Sequence, residues 1–288
     1  MTAKKQTLRA YAKINLALAV VKRRTDGYHE LESVMQTISL HDTVEICLEG
    51  RGIICDCGEW SGPGNLAYQA AAIFTERLNR ADDGVAIRIS KRIPAEAGLA
   101  GGSSDAAAVL RGLNQLYGKP FAESSLIGMS VALGADVAYF LRGGTAWIRG
   151  LGEIYEELPT LSGLDLVIVQ PARGVNTGAS YRLWDTLQRD AHPLDRPAWQ
   201  QALRAGDREQ IAGLLANDLE ASSLILVPEI AAVKQELMAA GCLGALMSGS
   251  GSAVFGIASS GAAAALMTED MRRRGWRVWQ AAAVPGYA

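Results

Sequence analysis

The stretch that most limits what this chain can become runs Arg92-Ile93-Pro94-Ala95-Glu96-Ala97-Gly98-Leu99-Ala100-Gly101-Gly102-Ser103-Ser104-Asp105. Before it, Val85-Ala86-Ile87-Arg88-Ile89 alternates apolar and polar residues, as a strand does. After it, residues 106–117 are rich in Ala and Leu at helical spacing. A glycine-rich loop therefore leaves a strand and enters a helix, and the pattern starts that helix at Ser103 or Ser104. Gly98, Gly101 and Gly102 let the backbone turn back sharply and keep side chains away from whatever the loop holds. The helix N-terminus aims unpaired N–H groups and the positive end of its dipole into the loop. Ser103 and Ser104 add hydroxyls there. Such a cradle suits an anion, and phosphate above all. The same residues admit a plainer role: Ser-Ser-Asp before an apolar run is an ordinary helix cap, and Gly-rich turns often only connect.

Other classes are excluded by what the chain lacks. No Gly-x-x-x-x-Gly-Lys-Ser/Thr loop occurs; the nearest run, Gly112 to Lys119, has one residue too many and meets Pro120. Gly62-x-Gly64-x-x-Ala67 matches a dinucleotide fingerprint in form, but residues 56–61 before it are not strand-like. The chain has 288 residues, 49% apolar and 20% charged, which suits a packed core rather than disorder. A net charge of −2 argues against nucleic acid as a partner. No apolar run approaches the ~20 residues of a membrane span, so no membrane association is expected. Met1-Thr2-Ala3-Lys4-Lys5 leads into a strand rather than a signal-peptide core, so the expected location is cytoplasmic. Cys55-x-Cys57 lacks the second pair that would complete a tetrahedral metal site, and the four cysteines read as reduced thiols.

Read in order, residues 8–21 form one long strand, with Lys13 and Asn15 on the same face as Tyr11. Asp26-Gly27 marks a turn, and Tyr28-His29 follow it. Residues 31–40 are apolar with interruptions, residues 42–48 alternate again, and Ile53-Ile54 is a short further strand candidate. A helix over residues 65–80 starts after Gly62-Pro63-Gly64. A further helix lies near residues 123–133, and a strand at 145–149. Residues 156–163 show no clear pattern, which places a domain boundary there and gives domains 1–158 and 159–288. Beyond it, residues 164–170 are a nearly continuous apolar run, hence a central strand. Val175-Asn176-Thr177 opens a helix to about residue 187. The polar, Pro-containing run 192–208 is expected at the surface, with helices at 208–215 and 228–240. Strands 243–247 and 253–257 flank Ser248-Gly249-Ser250-Gly251-Ser252, and helix 261–274 precedes a last strand at 277–283. The resulting β-α-α-β-β-α-β order predicts an α+β fold whose second half is a two-layer sheet with helices on one face.

Phosphoryl transfer asks a protein for a phosphate cradle, positive charge, and a group that orients or deprotonates the acceptor. Two residues suit the last two tasks. Lys13 sits in an otherwise apolar strand, where a lysine is costly unless it is used; its plainer role is a lysine snorkelling from a sheet edge. Asp136 lies between Gly134-Ala135 and the apolar run 137–141; its plainer role is a helix N-cap.

Ala12-Lys13-Ile14-Asn15-Leu16, Asp26-Gly27-Tyr28-His29, the loop of residues 94–108, Leu133-Gly134-Ala135-Asp136-Val137 and Ser248-Gly249-Ser250-Gly251 follow one another in this order. That set resembles the GHMP kinases, the clan of galactokinase and of homoserine, mevalonate and phosphomevalonate kinases. Asp-Gly-Tyr-His after Ala-Lys-Ile-Asn-Leu resembles one branch of it. The resemblance implies a two-domain α+β GHMP kinase fold, with a ribosomal-protein-S5-like N-terminal domain and a ferredoxin-like C-terminal domain. It implies an active site in the cleft between the domains and ATP-dependent phosphorylation of the 2-hydroxyl of a methylerythritol carried on cytidine diphosphate, in non-mevalonate isoprenoid precursor synthesis. Under it Asp136 is the base or orienting carboxylate, and Lys13 neutralises charge near Asp136 and the γ-phosphate. The loop residues Pro94 to Ser104 hold ATP, with Asn65 and Arg92 at adenine and ribose. Asn15 and His29 bond the substrate, Tyr28 stacks on the cytosine, and Thr177 and Tyr181 belong to the segment that supplies a second ring. Gly249 lies in the clan's third motif. Mg2+ is expected with ATP, its ligands unassigned, and the partner is a small molecule acting on a monomer or homodimer. Ala100 stands where the family often has Gly, and alanine is compatible there if the local φ is negative; Glu96 is expected to face solvent or Lys91 or Arg92. The rival readings are another small-molecule kinase of the clan, or a non-catalytic ligand sensor on the same fold.

Overall fold

The computed structural model describes residues 4–187 and 193–287. Alternating Leu8, Ala10, Ala12, Ile14 and Leu16 extend into one 20-residue strand, β1 (Lys4–Arg23). The Asp26-Gly27 turn, with Gly27 at φ +87°, returns it as β2 (His29–Arg51), so the runs 31–40 and 42–48 are one strand. The order continues β3 (Ile53–Asp56), α1 (Leu66–Arg77), β4 (Asp83–Ser90), α2 (Gly101–Leu116), α3 (Glu123–Val131), α4 (Ala135–Arg142), β5 (Thr145–Gly150) and β6 (Ile154–Glu157). Then come β7 (Asp165–Gln170), α5 (Thr177–Leu187), α6 (Arg196–Ala205), α7 (Arg208–Gly213), β8 (Ala216–Asn217), α8 (Glu220–Leu226), α9 (Glu229–Ala239), β9 (Gly244–Met247), β10 (Val254–Ile257), α10 (Gly261–Arg273) and β11 (Arg277–Ala282).

The described residues fall into two compact units, and neither is a single stretch of chain. The first holds residues 4–12, 41–93 and 100–142. In it the second half of β2 pairs antiparallel with β4, from Thr43 opposite Ser90 to Leu48 opposite Val85. β3 pairs with β4 in parallel. Helices α1 and α2 pack on each other, and Phe74, Ala106, Ala107, Val109, Leu110 and Leu113 are fully buried. Gly112 in mid-α2 serves this packing, since a Cβ there would lie 2.4 Å from Ile46 Cδ1 and 2.8 Å from Leu8 Cδ1.

The second unit holds residues 13–40, 94–99 and 143–287. Its four-stranded sheet runs β11-β7-β10-β9, every pairing antiparallel, which is the strand order of a ferredoxin-like layer. Strand β7 is central and buried, as its apolar run predicts. Val167, Val169, Val254 and Val278 share one cluster with Ile230, Val233 and Leu237 of α9 and Met267 and Met271 of α10, so the expected two layers are present. In the same unit the first half of β2 pairs with β5, β5 with β6, and β1 with β8.

Two expectations are corrected. The run 192–208, of which His192 lies outside the described residues, is not merely a polar surface stretch. It carries helix α6, where Asp195 caps the Ala198 N–H at 3.0 Å, Pro197 lies in the first turn, and Trp199, Ala202 and Leu203 are buried on one face. Burying such a face contributes several kcal/mol, at about 1.5–3 kcal/mol for each large side chain. Helix α2 starts at Gly101, ahead of both serines, with Ala100 at the N-cap and no side-chain cap.

Candidate active site

The glycine loop is held by its carbonyls. In the second unit five consecutive carbonyl oxygens accept hydrogen bonds. Ala95 O takes the Gln170 side-chain amide at 2.9 Å, Glu96 O the Ser252 N–H at 3.3 Å, and Ala97 O the Ala253 N–H at 3.2 Å. Gly98 O takes the Ser248 hydroxyl at 3.0 Å and Leu99 O the Lys13 N–H at 3.2 Å. Every negative peptide pole from Ala95 to Leu99 is thus turned onto a protein donor, which removes the groups that would repel an anion. Gly98 is required where it stands: its φ is +71°, and a Cβ would lie 2.0 Å from Ser248 O.

The loop residues differ in what they offer. Ala100 has φ +55°, so the negative φ under which alanine would sit there without strain is not met; it occupies the left-handed region that favours glycine. Glu96, also left-handed at +50°, is exposed, which meets the expectation that it faces solvent. Its side chain lies over Gly174, where a Cβ would meet Glu96 Oε2 at 2.7 Å. Ser104 is fully buried and donates its hydroxyl to Tyr11 O at 2.6 Å, so it is not a free donor for a ligand. Ser103 is half-buried, and Gly102 is exposed at the uncapped start of α2.

Beside the loop in the second unit lies a buried polar chain. Lys13 is only 4% exposed and does not snorkel. Its ammonium donates to Asn15 Oδ1 at 2.6 Å, the Asn15 amide donates to Ser33 Oγ at 2.8 Å, and the Ser33 hydroxyl donates to Ala17 O at 2.6 Å. Asn15 therefore spends both ends of its amide in fixing Lys13. A Cβ at Gly249, φ +56°, would stand 3.2 Å from Lys13 Nζ and 3.3 Å from both Asn15 Oδ1 and Gly98 O. Lys13, Asn15, Gly98 and Gly249 are thus brought together. Asn217, which sequence reasoning missed, holds the turn by donating to Met247 O and Gly249 O, both at 2.8 Å. Thr177 Oγ1 meets Ser250 Oγ at 2.8 Å at the start of α5, where Asn176 caps the Ala179 N–H at 2.9 Å.

A third group surrounds His29. Its Nε2 lies 2.7 Å from Asp185 Oδ1, and its ring stacks on Tyr181 with centroids 4.8 Å apart at 21°. Trp184 stands edge-on to it at 5.8 Å. When Nε2–H donates to Asp185, the neutral imidazole presents Nδ1 as an acceptor. Asp185 was missed; its signal is its place on α5 one turn after Tyr181. Tyr28 is 65% exposed, with its ring available to a flat partner.

The remaining candidates belong to the first unit. Asp136 is half-buried in the first turn of α4, inside the helix rather than at its N-cap, where it complements the dipole. Asn65 caps α1, accepting from Ala67 N–H at 2.8 Å and donating to Trp60 O at 2.9 Å. Arg92 is exposed, its backbone N–H given to Asp42 Oδ1. Asp42, Lys91 and Asp105, which sequence reasoning did not join, form a buried ionic cluster at the two ends of the loop.

Comparison with known proteins agrees with this geometry. Residues 65–144 match the GHMP kinases N terminal domain and residues 199–276 the GHMP kinases C terminal domain. A 4-diphosphocytidyl-2-C-methyl-D-erythritol kinase of Desulfitobacterium hafniense is 52% identical over 271 residues, 94% of this chain and 93% of its own length. A kinase of the same name from Geobacter sulfurreducens is 42% identical over 95% of this chain and 97% of its own. The crystal structure of a 4-(cytidine 5'-diphospho)-2C-methyl-D-erythritol kinase superposes with a TM-score of 0.84 at 36% identity, covering 98% of this chain and 100% of that one. Homoserine kinase from Cytophaga hutchinsonii, at 19% identity and a TM-score of 0.74 over 99% of this chain and 96% of its own, shares the fold. By these matches the chain belongs to the GHMP kinases and, within them, to the 4-diphosphocytidyl-2-C-methyl-D-erythritol kinase family of ATP-dependent small-molecule kinases.

Proposed function

We propose that this protein transfers the γ-phosphoryl group of ATP to the 2-hydroxyl of 4-diphosphocytidyl-2-C-methyl-D-erythritol, in cytoplasmic isoprenoid precursor synthesis, as a monomer or homodimer. The observation that carries the reading is the run of five engaged carbonyls leading to an uncapped helix N-terminus. That arrangement leaves N–H groups as the polar groups available to a triphosphate. Residues 94–104 are the proposed phosphate cradle, with Asn65 and Arg92 toward adenine and ribose. Lys13 holds the charge that develops on the transferring group, and Asn15 keeps its ammonium in place. Asp136 orients the acceptor hydroxyl and takes its proton. His29 reads the edge of the cytosine and Tyr28 stacks on its face, with Tyr181 behind the imidazole and Thr177 and Gly249 shaping the turn beside it. Mg2+ supplies charge neutralisation on the triphosphate. Among the described residues there is no group of three or more His, Cys, Asp or Glu that could hold a metal.

The test is an assay of ADP release with ATP and the cytidylyl polyol, mevalonate, homoserine or galactose in turn. Only the first should turn over, and faster turnover of another acceptor refutes the assignment. Asp136→Asn should lower kcat by about 10²–10⁴-fold, the usual worth of a positioned base. Unchanged turnover in that variant removes Asp136 from the chemistry and leaves the sensor reading in its place.

A further inference from the structure

The first unit contains an ionic cluster to which the proposed chemistry assigns no role. Lys91 follows β4 directly, and its ammonium bridges two carboxylates, Asp42 Oδ2 from β2 and Asp105 Oδ2 from α2, the latter at 2.7 Å. The side chains of Asp42 and Asp105 are 0% and 2% exposed. The other oxygen of Asp42 accepts the Arg92 N–H and the Ile93 N–H, the latter at 2.8 Å, where the chain leaves the strand for the glycine loop. Asp105 stands just past the first turn of α2, where the chain has come back. The two ends lie side by side: a Cβ at Gly101 would fall 2.9 Å from Ile93 Cγ2 and 3.3 Å from Lys91 Nζ. Burying two carboxylates on one ammonium is an expensive way to gain stability, and an apolar triad of similar volume would often serve as well or better. Charge and directionality gain something else here. One ammonium fixes the strand exit and the helix entry to each other, and with them the span that residues 94–99 must close.

We propose that Asp42, Lys91 and Asp105 are positioning residues for the nucleotide. They form a clasp that sets where α2 begins relative to the strand exit, and so aims the N–H groups of Gly101, Gly102 and Ser103 at the phosphates without touching them. This rests on the reading of the loop as the ATP cradle.

The test is calorimetric titration of the purified full chain with ADP and Mg2+, alongside steady-state kinetics and thermal unfolding. Asp105→Asn keeps shape and removes the ionisable group; Lys91→Met removes the bridge. Both should weaken ADP binding and raise KM for ATP about tenfold or more, as expected for donors misplaced by a fraction of an ångström, while KM for the acceptor stays within about twofold. Lys91→Arg, which keeps the charge, should recover part of the loss. If Lys91→Met does not fold, Asp105→Asn decides alone. Folded variants with a lower melting point but wild-type ADP affinity and KM for ATP overturn the clasp and leave a purely structural cluster. Failure of the wild-type protein to bind ADP overturns instead the cradle reading beneath it.

Discussion

Gly102→Ala separates a phosphate cradle from a mere connection more cleanly than any other change. Gly102 lies in the first turn of α2 with no left-handed φ, and a Cβ there would meet only Leu66 Cδ1, at 3.9 Å. Nothing in the folded protein opposes a methyl group. Alanine costs less backbone entropy than glycine in a helix, so the variant should be more stable by about 0.5–1 kcal/mol. For a unit of this size that raises the melting point by about 1–4 °C. A phosphate resting on the helix N-terminus, in contrast, approaches the Gly102 backbone on its exposed side, and the methyl group would hold it off. Losing one charge-assisted hydrogen bond, about 1.5–3 kcal/mol, corresponds to a rise in KM for ATP of about 10–150-fold. Differential scanning fluorimetry and a coupled ADP-release assay on the same preparation read both quantities. A stabilised variant with wild-type KM for ATP would mean that no phosphate comes near α2, and the nucleotide assignment would fall with it.

Two further outcomes follow from the geometry. Gly98→Ala must move the loop or the Ser248 turn by about 1 Å, because a Cβ 2.0 Å from a backbone oxygen has no room; kcat should fall by about 10²-fold, and an active variant with an unchanged melting point would contradict the contact. The second concerns pH. Burial, opposed by Lys91 and helped by the charge of Asp42, raises the Asp105 carboxyl from the usual carboxylate range to about 7. The facing thiols of Cys55 and Cys57 are raised by burial as well, and Lys91 is raised by its two carboxylates against burial, so none of these titrates in acid. Between about pH 4 and pH 7 the folded protein holds a proton that the unfolded chain has released, so this group's contribution to stability falls as pH rises through that window. Asp105→Asn should flatten that slope in melting curves; an identical slope would refute the shift.

What could be read from sequence was local. The loop, the Asp-Gly turn and the buried β7 announce themselves within a few residues, because glycine φ preference and apolar runs act at short range. The two-layer sheet of the second half followed from element order, and its ferredoxin-like identity from the family resemblance. The clasp could not be read, since Asp42 and Lys91 meet only through the β2–β4 register that sets Thr43 opposite Ser90. The His29–Asp185 pair likewise depends on where α5 packs. Helix α6 was legible in principle: Pro197 invites the reading of a break, yet proline in a first turn after an Asp cap starts a helix rather than ending one. Ala100 shows the opposite limit. An alanine gives no local warning of a left-handed φ, and only the surrounding loop imposes it.

Trp184 gives the protein a built-in optical reporter. Its indole is buried edge-on against His29, and its ring nitrogen has no hydrogen-bond partner among the described residues. Its emission is therefore coupled to whatever changes the imidazole beside it, and titrating cytidine nucleotides against ultraviolet-excited fluorescence should follow occupancy of that corner without label or coupled enzyme.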